Sequence, residues 1–388
     1  MKVALIHDWL TGMRGGEKCL ECFCELFPDA DLYTLLHAKG RCSDTIERMN
    51  IITSFIDRAP YKERCYRHML PLFPVAIERF ILKHYDLVLS SSHCVAKGVI
   101  PGPDVLHVSY VHSPMRYVWD MYGDYFGKGR VNFIMDKVIS FFATYLRTWD
   151  VVSSSRVDHF IANSNHVVRR IEKYYRREAS VIYPPVDLDR FRISDKLDDY
   201  YLIVSALVSY KKVNLAIEAF NQLGLPLKIV GTGPDEAMLR KMAGPTIEFL
   251  GWAQDDTLSD LYSHCKAFVF PGEEDFGITP LEAMASGRPV IAYAKGGALE
   301  TVRGLGQGNP TGIFFREQTR DALVAAIEQF EKNPDFFKPD AIRRHASAWN
   351  RDRFKEEIAG TIEDLLKGRK SGIQVKDLHM DRSDTIRA

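Results

Sequence analysis

Short apolar runs alternate with longer amphipathic stretches along almost the whole chain. In the first half the runs are VALIH (3–7), DLVLS (86–90), HVSYVH (107–112), HFIANS (159–164) and SVIYP (180–184). In the second half they are YLIVSAL (201–207), PLKIVG (226–231), IEFLG (247–251), AFVFPG (267–272) and PVIAYA (289–294). Most are continuous rather than alternating, the pattern of strands buried on both faces. The second-half runs recur roughly every 20 to 25 residues with helical stretches between, the rhythm of βαβ units and parallel sheets. So many strands exceed one open sheet, and two doubly wound α/β domains fit them better. The boundary falls in YPPVDLDRFRISDKLDDYY (183–201), where Pro184 and Pro185 stop a strand and a charged, aperiodic linker follows. The expected domains are therefore residues 1–185 and 186–349. A helix over 350–367 and a loose, polar tail over 368–388 follow them.

Composition narrows the classes. Lys plus Arg and Asp plus Glu are both 51 among 388 residues, so no basic excess supports a nucleic-acid partner. No run of ~18 apolar residues occurs, so no transmembrane helix is expected. The apolar stretch in MKVALIHDWLTG stops at His7 and Asp8, too soon for a signal peptide, and the expected location is the cytoplasm. Cys19, Cys22 and Cys24 cluster on a helical stretch without a second CxxC or a His pair. They read as packed thiols in a reducing compartment rather than metal ligands. No DxD stands at a strand end in a donor-site context and no ligand cluster is present, so neither a metal nor another cofactor is expected.

The strongest chemical signal is GEEDFGITPLEAMASGRPVIAY (272–293). A strand ends at Gly272, and Thr279–Pro280 opens a helix that closes at Gly287. The turn Phe276-Gly277-Ile278-Thr279 thus puts a helix N-terminus, with its free amides, at the carboxyl edge of a sheet, where anions bind. Glu274 and Glu282 bracket that turn, eight residues apart. Carboxylates repel phosphate, so each suits a hydroxyl on either side of a diphosphate held by the amides. On spacing alone, an ordinary βα turn with surface acids explains the same residues.

Other strand ends add candidates on the same edge. Gly15–Gly16 follows the first strand and lets backbone approach a phosphate; a tight turn is the plainer reading. Gly231 and Gly233 follow strand 226–231 in the same way. His112, before Ser113–Pro114, offers an imidazole for a sugar hydroxyl or the attacking group. Arg116 suits a phosphate or an acceptor, and Ser164 ends strand 159–164. Lys211 follows strand 201–207 and can neutralise a leaving diphosphate. No complete G-x-G-x-x-G or Walker loop is present, which speaks against NAD and ATPase chemistry.

In order and spacing these segments resemble one family over nearly the whole chain. They are HDWLTGMRGGEK (7–18), YVHSPMRYVWD (110–120), FIANSNHVVRRIEKYY (160–175), VIYPPVDLDRF (181–191), LVSYKKVNLAIEAF (207–220), IVGTGP (229–234), FLGWAQDDTLSDLY (249–262) and PGEEDFGITPLEAMASGRPVIA (271–292). The chain resembles the retaining glycosyltransferases of family 4, of GT-B fold, and most of all the bacterial O-antigen and capsule mannosyltransferase-like branch. The resemblance implies two Rossmann-like domains facing across a cleft, the first for acceptor and the second for a nucleotide-diphosphate sugar. It implies that the C-terminal helix crosses back onto the first domain. It implies that Glu274 meets the donor sugar, Glu282 the ribose, Lys211 the diphosphate, and that His112 is the active-site histidine.

One position departs from the pattern. The family usually has an Arg five residues before the Lys, where this chain has Ala206. Two rival functions stay open: a binding or scaffold protein on a weakened transferase fold, and a nucleotide-sugar epimerase. GDP-mannose is the lead donor, and a glycan or lipid-linked molecule the acceptor. The segments 61–85 and 131–150 interleave aromatics with Lys and Arg. They suit either packing within the first domain or contact with an anionic membrane surface.

Overall fold

The computed structural model describes residues 1–120 and 133–370. Its strands form two sheets, and every pairing between them is parallel. The first sheet holds β1 (Val3–His7), β2 (Asp31–Thr34), β3 (Asn50–Thr53), β4 (Leu87–Ser92), β5 (Leu106–Val111), β6 (His159–Ala162) and β7 (Ser180–Val181), in the order β3-β2-β1-β4-β5-β6-β7. The second holds β8 (Tyr201–Val204), β9 (Leu227–Val230), β10 (Ile247–Gly251), β11 (Phe268–Phe270), β12 (Val290–Tyr293) and β13 (Gly312–Phe315), in the order β10-β9-β8-β11-β12-β13. The order reverses between β1 and β4, and again between β8 and β11. At such a point the loops leaving neighbouring strands diverge and open a crevice at the carboxyl edge.

All ten apolar runs form strands. β2, β3 and β13 are additional, and each is only four residues long. Two of them, β3 and β13, are edge strands. A segment that short carries too little periodicity to stand out from its neighbours.

Alternate residues of the first sheet feed two cores, which is why its strands read as continuous apolar runs. Leu5, Leu32 and Leu89 face one core, and Ala4, Ile6, Tyr33 and Val88 face the other. Cys19, Cys22 and Cys24 lie in the helix Gly15–Leu26, buried in the first of these cores with free thiols. Burial pushes Cys22 and Cys24 up to about 12, so they are packing groups and not thiolates. Phe354, Ile358, Ile362 and Leu365 of the helix Arg351–Lys370 join the same core. Arg351 of that helix pairs with Glu21 at 3.0 Å and Glu25 at 2.5 Å. The chain thus leaves the first sheet near Tyr183 and returns to it after Asn350. The two crossings touch, with the Val186 amide donating to the Trp349 carbonyl at 2.7 Å. Of the tail expected over 368–388, residues from 371 onward lie outside the described residues.

The amphipathic segment 61–85 forms the helices Lys62–Cys65 and Phe73–Glu78 with a 3₁₀ turn, Tyr66–Leu72, between them. Residues 131 and 132 of the other segment lie outside the described residues, and the rest begins the helix Phe133–Ser154. Both segments send side chains into the core, among them Tyr66, Phe73, Ile77, Ala143 and Leu146. Among the described residues, no helix is long and apolar enough to cross a membrane.

Candidate active site

The carboxyl edges of the two sheets face each other, and both reversal points open into the space between them. From the second sheet, β11 ends at Phe270 and runs through Glu273, Glu274 and Asp275 to the helix Ile278–Ala285. Gly277 caps that helix with φ of +87°, a conformation that favours glycine. Across the gap lies Gly15, where a Cβ would come within 2.9 Å of the Ile278 side chain. The first helix of one domain therefore starts against the N-terminal end of the helix Ile278–Ala285 of the other.

Glu274 is ion-paired with Lys211. The loops carrying them touch backbone to backbone, since a Cβ at Gly272 would lie 3.0 Å from Lys211 Cα. Burial and the Arg116 guanidinium push the Lys211 ammonium down to about 7, against the pull of Asp275. The ion pair with Glu274 favours the charged form of the ammonium. Asp275 pairs with Arg116 and with Arg170, the latter at 2.5 Å. Burial would raise the Asp275 carboxyl, but Arg116, Arg170 and His166 outweigh it and hold it at about 2. Glu282 is buried and lies 2.5 Å from Lys18 of the first domain, with the Tyr262 hydroxyl donating to its other oxygen at 3.0 Å.

The first sheet contributes three histidines. His112 Nε2 is 2.9 Å from Ser91 Oγ, which also lies 3.1 Å from His7 Nδ1. The His93 ring centre is 5.8 Å from that of His7 and 6.4 Å from that of His112. Burial, with His93 and His7 close by, pushes His112 well below the ordinary histidine range. Its imidazole is neutral at pH 7 and can hydrogen-bond a hydroxyl without adding charge. Gly16 leaves the space above it open, since a Cβ there would sit 3.5 Å from His7 and 3.7 Å from His112.

Not every expected residue meets this cluster. Side chains at Gly231 and Gly233 would overlap the carbonyl oxygens of Ser205 and Leu207. The chain after β9 packs closely on the chain after β8 at both glycines. Phe276 is buried against Tyr183, ring centres 5.7 Å apart, and supports the turn from behind. Ser164 caps the helix Asn165–Tyr175, accepting from the Val167 amide at 3.1 Å, while its hydroxyl donates to the Asp275 carbonyl at 2.6 Å. It joins the domains. Ile278 and Thr279 are half-buried at the helix start. Among the described residues, no group of three or more His, Cys, Asp and Glu is placed to hold a metal ion.

Two family models cover most of this framework. One described as "Glycosyltransferase Family 4" matches residues 31–190, and one described as "Glycosyl transferases group 1" matches residues 188–349. The chain belongs to glycosyltransferase family 4. Its relatives include the O-antigen chain mannosyltransferase C of Escherichia coli, 27% identical over 44% of this chain and 48% of that one. Another is the GDP-mannose-dependent alpha-(1-6)-phosphatidylinositol monomannoside mannosyltransferase of Mycobacterium tuberculosis, 28% identical over 53% of this chain and 60% of that one. The chain thus spans about half the length of the curated relatives it matches. Among solved structures, Anabaena HepE in complex with UDP superposes with a TM-score of 0.68 at 15% identity, over 94% of this chain and 100% of that one. The fold is the GT-B fold of family 4.

Several residues that meet in this cleft carried no readable signal. Asp275 is one acid of an EED run, and nothing local separates it from Glu273 and Glu274. Arg170 and Lys18 look like solvated helix charges. Glu300 is far away in sequence, yet its carboxylate accepts from the Asn165 and His166 amides at 2.8 and 2.9 Å. Those bonds cap a first-domain helix from the second domain.

Proposed function

We propose that the chain is a retaining, metal-independent hexosyltransferase. It moves a sugar, with mannose from GDP-mannose as the lead, from a nucleotide-diphosphate donor to a glycan or lipid-linked acceptor in bacterial surface polysaccharide synthesis. The observation that carries this reading is the Glu274–Lys211 pair at the head of the helix Ile278–Ala285, opposite His112 and Gly16. The names of the mannosyl-transferring relatives support the donor.

In this reading the helix amides and Lys211 take the charge that develops on the diphosphate. No metal is needed for that. Glu282 meets a ribose hydroxyl and Glu274 a donor-sugar hydroxyl, while neutral His112 bonds the sugar or the attacking group. The anomeric carbon–oxygen bond to phosphate breaks as the acceptor oxygen bonds the same face. The departing phosphate oxygen accepts the acceptor's proton. Catalysis rests on positioning and leaving-group electrostatics. Incubation with GDP-mannose and a polyprenol-linked glycan, followed by NMR of the anomeric proton, tests it. Retention is expected; an inverted linkage, or sugar turnover without acceptor, contradicts it.

We infer the membrane as the meeting place with a lipid-linked acceptor. Support comes from Val138, Phe141, Phe142 and Tyr145, exposed at helical spacing on the helix Phe133–Ser154. Ile81 and Tyr61 of the neighbouring segment are 72% and 79% exposed, beside Lys62 and Lys83. Exposed aromatic and aliphatic side chains suit the headgroup layer. The chain should float with vesicles containing anionic lipid, and Phe141→Ser should weaken this. Equal recovery without vesicles would remove the idea.

A further inference from the structure

One cation in the cleft carries no role in the reaction proposed above. Arg116 belongs to the first domain, four residues after His112, yet its guanidinium lies among residues of the second. It is ion-paired with Asp275 and stands 4.0 Å from Glu274. It lies 5.7 Å from the centre of the Tyr210 ring, and Lys211 Nζ lies 5.5 Å from the same centre. Two cations from opposite domains therefore share one aromatic ring and one pair of carboxylates. Unshielded, they would repel each other. Glu274 and Asp275 hold them together, and an anionic ligand would do the same.

We propose that Arg116 is a phosphate ligand supplied across the cleft, gripping the sugar-linked phosphate of the donor beside Lys211. This rests on the transferase reading above and adds the second cation to it. Three observations favour phosphate over acceptor. A guanidinium fork suits two phosphate oxygens, where a sugar hydroxyl takes a single bond. Asp275 keeps a partner when Arg116 turns away, because its other oxygen is held by Arg170 at 2.5 Å, so no bare carboxylate is left buried. Position 206, at the end of the run 201–207, is alanine, so that turn offers no side-chain charge of its own. The arrangement also ties donor binding to closure, since the diphosphate is gripped fully only when both domains meet around it.

Calorimetric titration of the full chain with GDP and GMP tests this, or with UDP and UMP if those are what it binds. Unaltered protein must first prefer the diphosphate. If it does not, the transferase reading itself fails. With that preference in hand, Arg116→Gln should weaken diphosphate binding about 10- to 100-fold, the worth of a charge-assisted contact. It should leave monophosphate binding unchanged, because a monophosphate lacks the second phosphate. Arg116→Lys should show a smaller loss with the same selectivity, and it serves if the Gln variant does not fold. Equal loss for both nucleotides would mean a closure defect and would overturn the inference. So would unchanged diphosphate binding with only the acceptor KM raised.

Discussion

Replacing Glu274 or Lys211 with alanine should lower the turnover of sugar transfer at least ~100-fold, the scale of one lost electrostatic contact to a developing charge. The reason lies in their pairing. Lys211 is half-buried beside Glu274 and Asp275. Without it, two carboxylates face the diphosphate with one cation fewer, so donor affinity and turnover both fall. Without Glu274, the ammonium stays and the diphosphate still binds. The donor sugar then loses its hydroxyl partner, so turnover falls more than affinity. The double variant should be less than additive, because each residue sets the charge state of the other's surroundings. Initial rates of nucleoside diphosphate release with saturating acceptor measure all three. Near-normal transfer by either single variant would sink the site assignment.

Asp8→Ala should unfold the first domain more easily by about 3–5 kcal/mol, the scale of removing one partner from a buried charged network. Asp8 is fully buried just beyond β1. Its carboxylate accepts from four consecutive amides: His93 at 2.7 Å, Cys94 at 2.9 Å, Val95 at 2.6 Å and Ala96 at 2.8 Å. These are the amides of the turn that follows β4. A single side chain thus fastens the two strands on either side of the reversal point. Alanine would leave four buried donors without that acceptor. The effect reaches the site, because His93 Nδ1 also lies 3.1 Å from Asp8 and its ring neighbours His7 and His112. Urea unfolding followed by circular dichroism gives the stability. Asp8→Asn, which keeps one acceptor oxygen, should fall between alanine and the unaltered chain.

What could be read in advance follows physical range. Long buried strands and the helices between them show in local pattern, so the two-sheet α/β organisation and the family were legible. Glu274, Lys211 and His112 could be picked out as candidates because each follows a strand end, and Glu282 because it shares the stretch where the family resemblance is densest. Asp8 was not, because its role depends on a turn 85 residues away. Lys18, Arg170 and Glu300 were not, because they act across the domain boundary, and a helix charge looks the same whether it meets water or another domain. Gly231 and Gly233 read as lining a donor pocket, and the structure adds that a Cβ at either would overlap the Ser205 or Leu207 carbonyl. A glycine reports close approach of some group, and only the fold says which.

The most direct test of a donor site between these domains is a thermal-shift panel of GDP, UDP, ADP and CMP, each with and without EDTA. A ligand at ~100 times its Kd stabilises by about 2.7 kcal/mol, a shift readily seen. One nucleoside diphosphate should raise the melting temperature, unchanged by EDTA, and that result names the base. If no nucleotide moves it, the nucleotide-sugar site is contradicted, and the reading as a scaffold on a transferase fold moves ahead of the enzyme.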